Sequence, residues 1–235
     1  MSIHSNKFTL RLRDFGRKTG VNRILQSFIL GKDYEGRYDR CLSSFINTGD
    51  CVWDVGANLG YYTKQFATKV GNVGRVYAFE PSLANFVRLQ NNCDGFPGID
   101  CLNIGLGTED GHAFFCQGTD DDGSTSRVVK SETDNGTVIP IRSIESLMTT
   151  EHLKPPNVLK IDVEGFELEV LQGLGECIKI SSLRAIGVEI HFAILKDRGC
   201  PEAAAAIESL LQKARFRVRW VDPSHIVASR VGSGI

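Results

Sequence analysis

Between residues 51 and 107 the chain keeps one rhythm, and that rhythm restricts the fold more than any other feature of it. "CVWDVG" (51–56), "GRVYAFEP" (74–81) and "IDCLNIGLG" (99–107) read as buried strands. "YYTKQFATKV" (61–70) and "LANFVRLQNNC" (83–93) lie between them as helices of ten or so residues. Strands that alternate with helices of this length need right-handed crossovers, so they form a parallel sheet. Two later strands continue the pattern, "NVLKID" (157–162) and "LRAIGVEIH" (183–191). A helix holding Phe166, Val170, Leu171 and Leu174 follows the first of them, and "PEAAAAIESLLQKA" (201–214) follows the second, with proline in its first turn.

The end of the chain departs from this pattern. In "RFRVRWV" (215–221), Phe216, Val218 and Trp220 alternate with three arginines, as on a half-exposed, charge-blunted edge strand. "IVAS" (226–229) begins only four residues later, too soon for a parallel crossover, so this pair must be antiparallel. The middle is less regular. "HAFFCQ" (112–117) and "TVIPIRS" (137–143) read as strands around a polar segment that is too rich in Gly, Ser and Asp to be core. Near the N-terminus, Phe8, Leu12, Phe15, Ile24, Leu25, Phe28 and Ile29 are spaced as two short amphipathic helices around Gly20, and a third helical stretch covers about 39–47. The expected organisation is a helical extension over 1–37 and one α/β domain over 38–235, which suits a chain of 235 residues.

Composition excludes several classes of function. No run reaches the roughly 18 apolar residues of a membrane span. The N-terminus has no signal-peptide h-region, and a serine follows Met1 where myristoylation would need glycine. Seven scattered cysteines without a CxxC pair signal neither zinc nor a disulfide frame, so reduced thiols in a cytoplasmic protein are expected. The net charge is −1, but residues 1–40 carry nine Lys/Arg against four Asp/Glu, and 212–235 carry five against one. The centre is therefore acidic, and nucleic acid is not an expected partner. The basic arm reads as a solvated helical face.

The turn after the first strand, "DVGANLG" (54–60), places glycines where a backbone can approach a ligand, at a helix N-terminus with free N–H groups. Glu80 ends the second strand, 26 residues after Asp54, where a carboxylate can accept both hydroxyls of a ribose. The turn is GxNxG rather than the GxGxxG of dinucleotide sites. Asp54 stands two residues before the first glycine, where it would repel a pyrophosphate and welcome an amine or a sulfonium. A cationic nucleoside, S-adenosylmethionine, fits this turn better than NAD does. An NAD(P)-dependent oxidoreductase stays as one alternative, and a catalytically silent binding module as another.

Five segments in order, "VWDVGANLGYYT", "VYAFEP", "IPIRSIESL", "LKIDVEGFELEVLQG" and "VEIH", resemble the FkbM family of class I S-adenosylmethionine-dependent methyltransferases. The resemblance runs from about residue 38 to 230, and "KIDVEGFE" is its most specific piece. It implies a Rossmann-like seven-stranded sheet of order 3-2-1-4-5-7-6, with strand seven antiparallel. It also implies O-methylation of a hydroxyl on a small metabolite, sugar or polyketide-type acceptor. By position, Asp54, Gly56, Asn58 and Gly60 would contact the methionyl part, Glu80 the ribose, and Ile104 with Gly105 the adenine.

The apolar run of the fourth strand stops on Asp162 and Glu164, an arrangement suited to a ligand and unsuited to a core. Methyl transfer needs an acceptor oxygen positioned and relieved of its proton. Asp162 is the first candidate for that work, His191 the second as a general base, and Glu164 the third. Alternation in "AIGVEIH" puts Glu189 and His191 on one face beside Asp162, so Asp162, Glu189 and His191 are the ligand set if a divalent cation such as Mg²⁺ is bound. Lys160 shares the face of Asp162 and offers it neutralisation, and Glu164 also suits a helix N-terminus. "DDDGSTS" (120–126) lacks EF-hand spacing and reads as a lid over the site.

Overall fold

The computed structural model describes residues 34–116, 127–129 and 136–230. The helices expected between 7 and 30 and the proposed lid at 120–126 lie outside them. The first described element, α1 (Tyr34–Ser43), starts before the expected 39–47 and carries the 37/38 boundary inside it.

The anticipated alternation is present as β1 (Cys51–Val55), α2 (Tyr61–Val70), β2 (Arg75–Phe79), α3 (Leu83–Cys93) and β3 (Ile99–Leu102). Further along stand β8 (Val158–Ile161), α5 (Glu167–Gln172), β9 (Ala185–Glu189), α6 (Phe192–Asp197), α7 (Ala203–Lys213), β10 (Phe216–Trp220) and β11 (His225–Arg230). These seven strands form one sheet in the order β10-β11-β9-β8-β1-β2-β3. Numbered one to seven along the chain, they run 3-2-1-4-5-7-6. β11 is antiparallel to both of its neighbours, and the other pairings are parallel. The Arg-rich strand β10 is the sheet edge, with Phe216 buried and Arg217 and Arg219 exposed.

The stretch 99–107 is not one strand. It breaks at Asn103, whose side-chain amide donates to the carbonyls of Glu80 and Pro81, and β4 (Gly105–Leu106) then joins a different sheet. That second sheet holds β4, β5 (Gly111–Cys116), β6 (Arg127–Val129) and β7 (Gly136–Arg142) in the order β4-β7-β5-β6. A short helix, α4 (Ile144–Thr149), capped by the Ser143 hydroxyl, leads back to the main sheet.

Strand alternation sorts the core onto two faces. Trp53, Val55, Leu159, Ile161, Val188 and Ile190 belong to the cluster beneath α4, α5 and α7. Val52, Val158 and Ala185 pack the other way, with Tyr38 and Leu42 of α1 and Phe66 and Val70 of α2. Asp54, Lys160 and Asp162 continue that second face toward the carboxyl ends of the strands, where parallel sheets bind ligands.

Candidate active site

The turn after β1 is fixed by backbone crowding. Gly56 has φ 79°, and a Cβ there would collide with the carbonyl of Asp162 in the neighbouring turn after β8. Gly60 (φ 85°) precedes α2, and a Cβ there would lie 2.8 Å from Leu89 Cδ1 and 3.1 Å from Cys93 Sγ of α3. Both glycines are therefore demanded by packing. Between them Asn58 adopts φ 50°, and its Oδ1 is buried without a hydrogen-bond donor.

Glu80 closes this turn from β2. Its Oε2 accepts the Asn58 N–H at 2.9 Å, and its Oε1 accepts the Ser82 N–H at 2.9 Å. Burial pushes its pKa up to about 7, against the pull of those two N–H groups. Each oxygen takes only one of these bonds, which leaves lone pairs for ligand hydroxyls. Gly105 is buried nearby, with Pro81 Cβ 3.7 Å from where its own Cβ would be.

Asp54 does not present a free carboxylate to the cleft. It is wholly buried, accepts the Thr63 hydroxyl at 2.6 Å on Oδ2, and has the Lys160 ammonium 3.0 Å from Oδ1. Lys160 also donates to the Gly56 carbonyl at 3.2 Å, stands 3.5 Å from Asp162 Oδ2, and lies over the Tyr62 ring. Burial alone would lower its pKa, but Asp54 and Asp162 outweigh that and raise it. Lys160 thus neutralises Asp54 first and Asp162 second.

The turn after β8 gathers the remaining acids. Glu164 takes φ 50° and Gly165 φ 92°, a left-handed pair that costs the non-glycine residue about 1 kcal/mol. His191, fully buried at the start of α6, has Nδ1 2.6 Å from Glu167 Oε1, and Glu167 also accepts the Gly165 N–H at 2.8 Å. The other ring nitrogen, Nε2, faces Glu164 at 3.3 Å, Asp162 at 3.6 Å and Glu189 at 3.8 Å, none in hydrogen-bond geometry. Burial by itself would lower the His191 pKa, but Glu164, Glu167 and Glu189 hold it well above the ordinary histidine value.

Glu189 stands slightly apart. Its Oε2 is 3.3 Å from His225 Nε2, and His225 Nδ1 is 2.9 Å from Asp222, a chain that raises the His225 pKa to about 9 despite its burial. The atoms of Asp162, Glu164 and His191 all lie within 4.8 Å of one another. The geometry therefore groups Glu164 with Asp162 and His191, where sequence alternation suggested Glu189. Glu167 was not legible in the sequence, where an acid in the first turn of a helix has an ordinary reason to be present. The salt link from Lys160 across to Asp54 was missed because it joins two strands.

Residues 54–218 match the family described as the methyltransferase FkbM domain. Over 166 residues the chain is 34% identical to the hexuronic acid methyltransferase AglP of Haloferax volcanii, covering 69% of this chain and 66% of that protein. The matched region thus spans just under two thirds of this relative's length. A crystal structure of methyltransferase FkbM from Methylobacillus flagellatus superposes with a TM-score of 0.51 at 16% identity, over 77% of this chain and 43% of that one. Aeropyrum pernix fibrillarin, crystallised with natively bound S-adenosyl-L-methionine, gives 0.50 at 12% identity, over 83% and 76%. At these identities the two structures show the fold, a Rossmann-like methyltransferase sheet. The chain belongs to the FkbM methyltransferase family.

Proposed function

We propose, from its membership of the FkbM family, that this chain transfers a methyl group from S-adenosylmethionine to a hydroxyl of a small, sugar-type acceptor. The observation that carries this reading is one of placement. At the carboxyl ends of β2, β1, β8 and β9, a buried Glu80 with spare lone pairs and a partly open Asp162 stand on the same edge of the sheet. The residues present suit the cofactor. Asn58 Oδ1 is a buried acceptor that lacks a donor, and an α-ammonium supplies one; Glu80 offers its remaining lone pairs to two ribose hydroxyls. When bound, the cofactor brings a methyl carbon on a sulfonium that leaves as a neutral thioether.

The chain's own part is to hold the acceptor and take its proton. Asp162, about a quarter exposed, is the carboxylate that a hydroxyl in the cleft can reach. The acceptor oxygen forms its bond to the methyl carbon, the carbon–sulfur pair stays on sulfur, and the hydroxyl proton passes to Asp162. His191 is buried behind Asp162 and held by Glu167 at 2.6 Å. The sugar-type acceptor is supported by the name of the AglP relative, a hexuronic acid methyltransferase.

Calorimetric titration with S-adenosylmethionine, with NAD as control and Glu80→Ala beside the wild type, tests the reading. Binding of the sulfonium nucleoside alone, weakened in the variant, is expected. NAD binding, or no binding, overturns it.

A further inference from the structure

We propose that Asp162, Glu164 and His191 form a binding site for one divalent cation of the Mn²⁺ type, with open positions toward the acceptor. His191 Nε2 lies 3.3 Å from Glu164 Oε2 and 3.6 Å from Asp162 Oδ1, separations that two metal–ligand bonds of roughly 2.0–2.3 Å can span. The acids alone would be a weak argument, since exposed carboxylates often gather without an ion. His191 supplies the independent one. Its side chain is completely buried, and its Nε2 has no hydrogen-bond partner although it points at both acids. Its other nitrogen is held at 2.6 Å by Glu167, itself buried and anchored on the Gly165 N–H. That carboxylate–histidine pairing is how proteins orient a metal-binding imidazole and fix its tautomer.

The remaining neighbours sort themselves by distance. Asp162 turns Oδ2 toward Lys160 at 3.5 Å and Oδ1 toward His191 at 3.6 Å, so one oxygen stays available to an ion. Glu189 is 3.8 Å from Nε2 and has its other oxygen on His225, which places it at the rim of the site. Asp162 and Glu164 are partly exposed, with 27% and 17% of their side-chain surface open, which gives an ion its way in and leaves room for acceptor oxygens. One imidazole and two carboxylates suit Mn²⁺ or Fe²⁺ better than Mg²⁺, which prefers oxygen alone.

The catalytic consequence rests on the function proposed above; the binding does not. A bound dication would lower the pKa of a hydroxyl oxygen held against it, while the proton still leaves to a carboxylate of the cluster. It would also offset the repulsion between these acids and an acidic sugar.

The test is to strip the full chain with a chelator and titrate it with MnCl₂, following free Mn²⁺ by electron paramagnetic resonance. One bound ion per chain is expected, together with pulsed-resonance coupling to a histidine nitrogen. Affinity should drop at least tenfold in Glu164→Gln and in Asp162→Asn and hold in Glu80→Ala. His191→Ala should remove the nitrogen coupling; if that variant does not fold, the two carboxamide variants decide. No stoichiometric binding, or binding unchanged in Glu164→Gln and Asp162→Asn, overturns the site. Mn²⁺ binding without any methyl transfer leaves the site standing and counts against the functional reading alone. Methyl transfer by a chain that binds no Mn²⁺ does the reverse.

Discussion

The two halves of the cleft are built on opposite principles. At β1 and β2 the charges have partners inside the protein: Asp54 with Lys160 and Thr63, Glu80 with two backbone N–H groups. At β8 and β9 three carboxylates converge on one imidazole nitrogen without a hydrogen bond among them and it. A network whose charges are paired stabilises the fold and presents a shaped surface, whereas acids gathered on one imidazole gain from a ligand. The same fold keeps rigid architecture on one side and unspent electrostatic energy on the other.

The contrast is broken most severely at Lys160. Lys160→Met strands the buried Asp54 charge, and removing one partner of a buried pair costs about 3–5 kcal/mol. Urea unfolding at pH 7 should show that loss. The next effect is kinetic. Asp162→Asn should lower turnover roughly 10²- to 10⁴-fold with cofactor affinity within a few-fold, read by steady-state kinetics beside calorimetry. A parallel loss of both would move Asp162 into the cofactor half.

Glu80 gives a smaller effect with a definite sign. Its folded pKa of about 7 is raised from 4.5, so the ligand-free fold binds the extra proton and loses stability as pH rises through that interval. A ligand that donates hydroxyls prefers the ionised form. S-adenosylmethionine affinity should therefore rise about tenfold from pH 6 to 8, and the rise should vanish in Glu80→Gln. The smallest effect concerns backbone. Glu164→Gly relieves a left-handed non-glycine, and its entropic penalty offsets part of the gain, so thermal unfolding should show a stabilisation of at most about 1 kcal/mol. Loss of stability there would mean that the interactions of the Glu164 carboxylate outweigh the strain.

How far the sequence foretold this depends on the range of the interaction. The antiparallel end followed from a four-residue connection, and the parallel body from helix spacing; both are local facts. The second sheet was not visible, because the run 99–107 is mostly apolar and reads as one strand, and the contact of Asn103 with Glu80 and Pro81 divides it. The same holds at the site. Asp162, Glu164 and His191 stood out because acids and a histidine end apolar strands, a pattern along the chain. The burial of Asp54 against Lys160 and the grip of Glu167 on His191 join segments that periodicity treats separately. Among the described residues no helix is long and apolar enough to cross a membrane, in line with the absence of such a run in the sequence.

The contact between Gly56 and the Asp162 carbonyl sets a gauge. The turn proposed to face the methyl donor and the turn that carries Asp162 come so close, Gly56 backbone to Asp162 carbonyl, that no side chain fits between them. On the proposed reading, substitutions in the acceptor pocket away from this contact should leave the donor-to-acceptor spacing unchanged. New acceptors could be accommodated by side chains and surrounding loops without recalibrating the transfer step, while even an alanine at position 56 would shift both ends together.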